Sequence, residues 1–389
     1  MKKRHCSLFF ILLFINFGFN LSFYMVIPYL SHHITNSLGY SAAFAGVVLG
    51  VRNLSQQGCF LLGGILADCY DYRSTIINGC CLRVIGFFLF GFASNEAWLI
   101  ASAFLSGIAA AFFTPAFYAC VSQITVEGRQ HDWCFACHSL AEGLGMLVGP
   151  LLGYILILID FTLLCIVAAC IFLILIIVQI LFFPRKYCKR INCIKCLDFS
   201  LVFKNKRFLF FTVLMSGYYI VFNQLYLVIP LYLSIYQLGE FAIFSVFSLS
   251  ALTTLFLQMK VTSLCLRYLK RHQSLGIGLI LMGLPFLLLL SKNASLWMAI
   301  LTTFIMILGN LICFPCAMAL ISELSNEKNK GLFYGFFYFV AGVVGAFTNW
   351  IVGKLWVTLP SLSILFIVLS SVACGMLLFW HESQYNKQC

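Results

Sequence analysis

Tyr24-Met25-Val26-Ile27-Pro28, near the end of the first apolar run, returns about 200 residues later as Tyr226-Leu227-Val228-Ile229-Pro230. One such match is within the reach of chance; further matches in the same register are not. Pro115 answers to Pro315, each ahead of a small-residue stretch, and Ala141, Gly145 and Gly153 answer to Ala341, Gly345 and Gly353. Self-similarity at a fixed offset marks a duplicated architecture. The register predicts two parallel halves related by internal repetition.

Working outward, 62% of the 389 residues are hydrophobic and only 9% are charged, too little polar surface for a soluble fold. Lipid is therefore the expected solvent. A helix needs about 20 apolar residues to cross the hydrocarbon layer and a barrel strand about 10, so the long runs predict helices. Because backbone polar groups cannot face hydrocarbon unsatisfied, each run is expected to be one continuous helix, straight or kinked. The runs fall near 8–31, 40–67, 75–95, 97–124, 134–158 and 161–183, then 208–236, 241–260, 274–291, 295–321, 331–357 and 361–381. The shortest turns between them are at Asp160 and Pro360. The polar, basic stretch 184–207 separates six runs from six and reads as a cytoplasmic linker between halves 1–183 and 208–389. The expected fold is thus an all-α integral membrane protein of twelve transmembrane helices in two six-helix pseudo-repeats.

Lys and Arg bias short loops toward the cytoplasm. Lys2, Lys3, Arg4, Arg73, Arg129, the cluster from Arg185 to Arg207, Lys260, Arg267, Lys270, Arg271, Lys328, Lys330 and Lys387 fall on one side, against Lys292 and Lys354 on the other. This predicts an inner-membrane protein with both termini inside. The net charge of +12 then reports topology, not nucleic-acid binding. The first run is too long for a signal peptide and lacks a small-x-small cleavage site, so it is expected to remain as a span. Most of the 18 cysteines lie inside runs (Cys80, Cys81, Cys165, Cys170, Cys313, Cys316), where Cys behaves as a small hydrophobe and no disulfide framework is expected. Cys188, Cys193 and Cys196 are spaced C-x4-C-x2-C but lack the fourth ligand a zinc site wants, and read as free thiols with no metal.

Gly64-Ile65-Leu66-Ala67-Asp68-Cys69-Tyr70-Asp71-Tyr72-Arg73 resembles the loop signature G-x-L-x-D-x-x-G-R-[KR] of the major facilitator transporters. Gly64, Leu66, Asp68 and Arg73 agree, while Asp71 stands for the loop glycine and Tyr72 for the next arginine. Asp68 suits a helix N-terminus and Arg73 an acid or a helix C-terminus, the makings of a cytoplasmic gating latch. Gly145-x-x-x-Gly149-Pro150-x-x-Gly153 is similar to the complete antiporter signature of that family, whose resemblance implies export. Glycines at i, i+4 and i+8 share one helix face and permit close approach of a neighbour; such a face also serves simple packing.

Further stretches look like the MdtH-type multidrug transporters of bacterial inner membranes. They are Leu49-Gly50-x-Arg52-x-x-x-Gln56-Gln57-Gly58, the Gly63-Gly64-x-x-Ala67-Asp68 loop, Gly217-Tyr218-Tyr219 with Gln224 and Pro230, and Gly331-x-x-x-Gly335-Phe336. That resemblance implies proton-coupled efflux of small amphipathic compounds, with the proton gradient as driving force and no cofactor.

Charges inside a membrane are costly and mark function or pairing. Three lie deep in runs: Arg52, Arg83 and Glu142. Glu142, the one deep carboxylate, is the proton-carrier candidate, and Arg52 or Arg83 its expected counter-ion; a static buried pair is the alternative. Drug–proton antiporters often carry an acid in the first span and an arginine before the fourth-span glycine, where this chain has Asn16, Asn20 and Ala103. Asn16, Asn20, Tyr24, Tyr218, Tyr219, Asn223, Gln224, Asn310 and Asn349 are candidates for a midplane substrate cavity, or else bond neighbouring helices. The 41 Phe residues read as mostly lipid-facing bulk.

The partners expected are a small-molecule substrate, protons and the bilayer, acting on a monomer. Export of an endogenous metabolite such as a siderophore is an alternative cargo, and uptake is opposed by the antiporter signature. A membrane enzyme is opposed by the lack of a third partner for Glu142 and His138, and His32 and His33 read as solvated, not metal-binding. A nucleotide-driven pump is opposed by the absence of a G-x-x-x-x-G-K-[ST] loop.

Overall fold

The computed structural model describes residues 3–63, 72–124, 129–183, 200–291, 295–325 and 330–385. Among these the chain is helical, with no strand. Eleven of the helical segments are long and apolar enough to cross a membrane. The remaining expected span, the second, is the helix Ala42–Gly58, which resumes after a turn at Cys59 to residue 63. It is shorter, and carries Arg52, Asn53, Gln56 and Gln57. The tight turns fall where the sequence put them: Ile157 ends the fifth span and Phe161 opens the sixth, and Thr358 and Pro360 bound the eleventh and twelfth.

Besides the second, three spans depart from the single continuous helix expected. The first, Lys3–His32, runs on through a π-turn His33–Ser37. The ninth, Arg271–Gly283, tightens into a 3-10 segment Leu284–Leu290 at Pro285. The seventh breaks into Lys206–Phe222, a 3-10 turn Asn223–Leu225, and Val228–Ile235. A proline ring clashes with the carbonyl four residues earlier, so Pro230 disfavours helix through Tyr226. Pro28 leaves the first span unbroken, however. At the break two amides reach back: Asn223 Nδ2 donates to the Tyr219 carbonyl at 2.8 Å and Gln224 Nε2 to that of Ile220 at 2.7 Å. Side chains thus satisfy carbonyls that a broken helix would otherwise strand in hydrocarbon.

The chain forms two compact units. One comprises Met1–Leu30 and Val51–Leu197, the other Ser31–Gly50 and Asp198–Cys389. They follow the two sequence halves except for 31–50, which packs with the second.

The duplication reaches the backbone. In the first unit the third span (Tyr72–Phe92) packs on the fourth (Glu96–Ile124) and the sixth (Phe161–Phe182); in the second, the ninth packs likewise on the tenth (Leu296–Leu324) and the twelfth (Pro360–Tyr385). A Cβ on Gly79 would meet the Ala109 carbonyl and the Phe113 nitrogen, and one on Gly278 the Gly309 carbonyl and the Cys313 nitrogen. These are the same contacts in each half. Gly39 and Gly239, each with φ +72°, make equivalent left-handed turns into the second and eighth spans, a conformation that costs glycine nothing.

The phenylalanines expected to be mostly lipid-facing are divided between the cores and the outer surface. Phe87, Phe117 and Phe172 are sealed in the first unit and Phe208, Phe286 and Phe337 in the second. Phe19 stacks on Phe113 at 3.7 Å between centroids. The outer surface carries phenylalanines such as Phe92, Phe182 and Phe256 together with aliphatic side chains such as Ile159, Ile177 and Leu181.

Candidate functional site

In the first unit the fifth span, Arg129–Ile157, lies against the first along its glycines. A Cβ on Gly145 would come within 2.9 Å of Asn20 Cβ and of the Phe17 carbonyl oxygen. On Gly149 it would meet Tyr24 Cβ at 2.8 Å, and on Gly153 the Tyr29 ring at 2.6 Å and the Met25 carbonyl. Any side chain here forces the helices apart, which is the physical reason for three glycines at this spacing. Pro150 contributes its carbonyl oxygen, which accepts from the Tyr29 hydroxyl at 2.7 Å. The antiporter-like signature is thus a seam in which backbone meets backbone.

Glu142 stands on the same helix, one turn before Gly145, partly buried, with neither a hydrogen bond nor an ion pair among the described residues. Next to it in the fold Asn16, buried, donates from Nδ2 to the His138 carbonyl at 3.1 Å, and Asn20 donates back to Asn16. Asn16 thus bonds the first span to the fifth, and Asn20 bonds within its own helix. The neighbouring Tyr24 lies edge-on to Phe23.

Arg83 is not held by Glu142, the counter-ion pairing expected. Its guanidinium, with the residue 1% exposed, lies among four rings: Phe19 at 4.9 Å, Phe23 at 5.1 Å, Phe87 at 5.3 Å and Phe172 at 6.0 Å. Its Nε and Nη1 are sealed from solvent with no acceptor. Arg52 sits over the same Phe23 ring at 4.9 Å and donates from both terminal nitrogens to Gln56 Oε1. The reason for the missed cage is that phenylalanines at 19 and 23, and Phe87 four residues after Arg83, each mark one helix face, a signal that composition alone hides.

Of the loop residues, Arg73 donates from Nη2 to the carbonyls of Ile180 at 2.9 Å and Gln179 at 3.3 Å, the C-terminal end of the sixth span. Gly64 and Asp68 lie outside the described residues, as do Cys188, Cys193 and Cys196. The described cysteines, including Cys80, Cys165 and Cys313 in the cores, are free thiols.

In the second unit Tyr218 donates to Asn310 Oδ1 at 2.7 Å, and Gln224 Nε2 reaches Asn349 Oδ1 at 3.4 Å. Tyr218, Tyr219, Asn223, Gln224 and Asn349 are buried, and Asn310 is partly so. The Tyr219 hydroxyl and Gln224 Oε1 lack partners. The candidates of this half thus fall in one polar cluster within an aromatic wall of Phe222, Phe314 and Phe337.

The docked segment 31–50 adds contacts the sequence did not announce. Gly46 and Gly50 lie against the backbone of Asn349 and Ala346, and Gly353 against Ala42. His32 shares a 2.6 Å hydrogen bond with Ser234 through Nδ1 and lies 3.4 Å from Glu240 through Nε2, so its surroundings are protein and not solvent as expected.

The sequence model of the Major Facilitator Superfamily matches residues 12–273 and 245–388. The chain is 29% identical over 357 residues to an uncharacterized MFS-type transporter of Mycobacterium tuberculosis, covering 89% of this chain and 85% of the relative. It is 26% identical over 318 residues to the multidrug resistance protein MdtH of Salmonella typhimurium, covering 81% of this chain and 78% of that one. Among solved structures, a POT family transporter in complex with 5-aminolevulinic acid superposes with a TM-score of 0.84 at 17% identity, over 97% of this chain and 96% of its own. The nucleoside transporter NupG gives 0.79 at 15% identity, over 97% and 99%. At such identities these two establish the fold alone.

Proposed function

The chain belongs to the Major Facilitator Superfamily, and from that premise we propose that it is a secondary active exporter of the bacterial inner membrane. It moves small amphipathic compounds outward by alternating access, driven by protons. The observation that carries this reading is the glycine seam of the fifth span. Gly145, Gly149, Pro150 and Gly153 complete the antiporter signature, and each glycine is needed at its contact with the first span. The multidrug relatives of the MdtH type support the same assignment.

In this reading 184–207 is the cytoplasmic linker between two six-helix halves, 1–183 and 208–389, and both termini are cytoplasmic. Arg73 ties the start of the third span to the end of the sixth, the contact this reading assigns to a gating latch. Within the second unit Tyr218, Tyr219, Asn223, Gln224, Asn310 and Asn349 are the groups offered to cargo. The unpartnered Tyr219 hydroxyl and Gln224 Oε1 are the groups with hydrogen-bonding capacity left to offer a ligand. Glu142 carries the proton, since it is a deep carboxylate with no ion pair among the described residues.

Everted vesicles test this. Dye efflux energised by a proton gradient is expected from the wild type, with loss of gradient-driven transport but retention of downhill exchange in Glu142→Gln. Intact coupling in that variant removes Glu142 from the mechanism, and absence of gradient-driven export across a broad compound panel removes the antiport reading.

A further inference from the structure

The cage around Arg83 has a chemistry of its own. Within the same unit Arg73 shows what a structural arginine does: its nitrogen meets the two carbonyls at a helix end. Arg83 meets none. Nε and Nη1, two of its three nitrogens, are buried without an acceptor, and the one carboxylate deep in the spans of this unit makes no ion pair. Four phenylalanine faces attract the cation but do not accept its hydrogen bonds as an oxygen does. A second guanidinium, that of Arg52, lies on the Phe23 ring that Arg83 also contacts, so two cations share one aromatic partner. Unmet charged donors in an apolar setting are costly, and like charges placed together add to that cost. Both costs are removed by the same thing, an anion with oxygens to accept from the guanidinium and an apolar body to lie against the rings.

We propose that Arg83 and Arg52 form a receptor for the carboxylate of an amphipathic aromatic acid. The planar guanidinium fork matches a carboxylate in geometry and in charge. Phe23, the half-buried ring that both guanidiniums contact, takes the ring system by offset or edge-on contact, with Phe19, Phe87 and Phe172 as the closed wall behind Arg83. Gln56, which already accepts from Arg52, orients that half-buried arginine, while Arg83 is the buried one of the two. The cargo class is thereby organic acids with an aromatic body. This rests on the exporter reading for its physiological sense, although the binding itself does not.

The test is equilibrium binding to the purified full-length protein in chloride-free detergent solution, with naphthoate as probe and naphthalenemethanol as its neutral isostere. Wild type is expected to prefer the acid by about tenfold or more, the range for a charged group gaining its hydrogen bonds. Arg83→Met should abolish the preference while leaving the weak binding of the alcohol, and Arg83→Lys, with the charge but not the fork, should keep part of it. Arg52→Gln should lower it. The lysine variant keeps the experiment decisive if Arg83→Met does not fold. Equal affinity for acid and alcohol, no binding of either, or a preference that survives at Arg83→Met overturns the proposal. So does chloride alone matching the acid in competition, which marks a free-anion site. Acid-selective binding without export of naphthoate in vesicles leaves the receptor standing and refutes the exporter reading instead.

Discussion

Tyr29 on the first span gives its hydroxyl hydrogen to the carbonyl of Pro150 on the fifth, across 2.7 Å inside the first unit. The bond closes one end of the glycine seam. Tyr29→Phe is expected to lower stability by about 1 kcal/mol, the usual net worth of one hydrogen bond. Gly149→Val should cost more, about 1–3 kcal/mol, because its branches enter space already held by Tyr24 and Leu21. Thermal unfolding in detergent checks the order: a valine variant as stable as the phenylalanine one contradicts the seam.

Arg73 offers a second measurement. Arg73→Ala removes both its hydrogen bonds and a cation beside a helix C-terminus, together about 1–2 kcal/mol. Amide exchange at residues 179–182 should quicken. Arg73→Lys should recover part of the protection, since it restores the charge but not the two-carbonyl reach.

The docking of 31–50 on the second unit separates a strong contact from a weak one. Glu240→Gln breaks the approach to His32, and because Glu240 is partly exposed, at 35% of its side chain, its loss is expected within about 1 kcal/mol. Gly46→Val drives a side chain into the Asn349 backbone and should loosen the segment far more. Hydrogen exchange across 31–50 ranks the two, and the reverse ranking would show that charge, not backbone packing, holds it.

Gln224 divides structural from ligand-binding roles. Gln224→Met gives up bonds to Ile220 and Asn349 but also removes a buried oxygen without a donor, so folding stability should change little. If the side chain meets cargo, KM should rise several-fold with turnover nearly preserved, the mark of lost uniform binding. Unchanged transport kinetics would return Gln224 to the role of helix cap.

The spans were legible because run length against membrane thickness leaves one answer, and the repeat because proline and glycine positions are fixed by backbone geometry. The break at Asn223–Leu225 was not. Pro28 and Pro230 look alike in sequence, yet only the second follows an opened helix, where Asn223 and Gln224 reach back to Tyr219 and Ile220. The glycine seam was readable since its spacing defines a face. Its counterpart at Gly46 and Gly50 has the same spacing but faces residues some 300 positions away, a distance periodicity does not bridge. For Arg83 the sequence suggested a partner by rarity of charge, whereas the fold surrounds it with rings that were indistinguishable from lipid-facing bulk.

A seam made of main-chain atoms has mechanical properties that a seam of interlocked side chains lacks. Interdigitated leucines must leave their rotamer wells for one helix to travel along its neighbour, and each well resists. Where Gly145, Gly149 and Gly153 meet the first span on one side, there are no torsions on that side to freeze on contact or release on parting. Such a seam is stiff against separation and adds little rotamer cost to sliding, the property that the proposed alternating access would draw on.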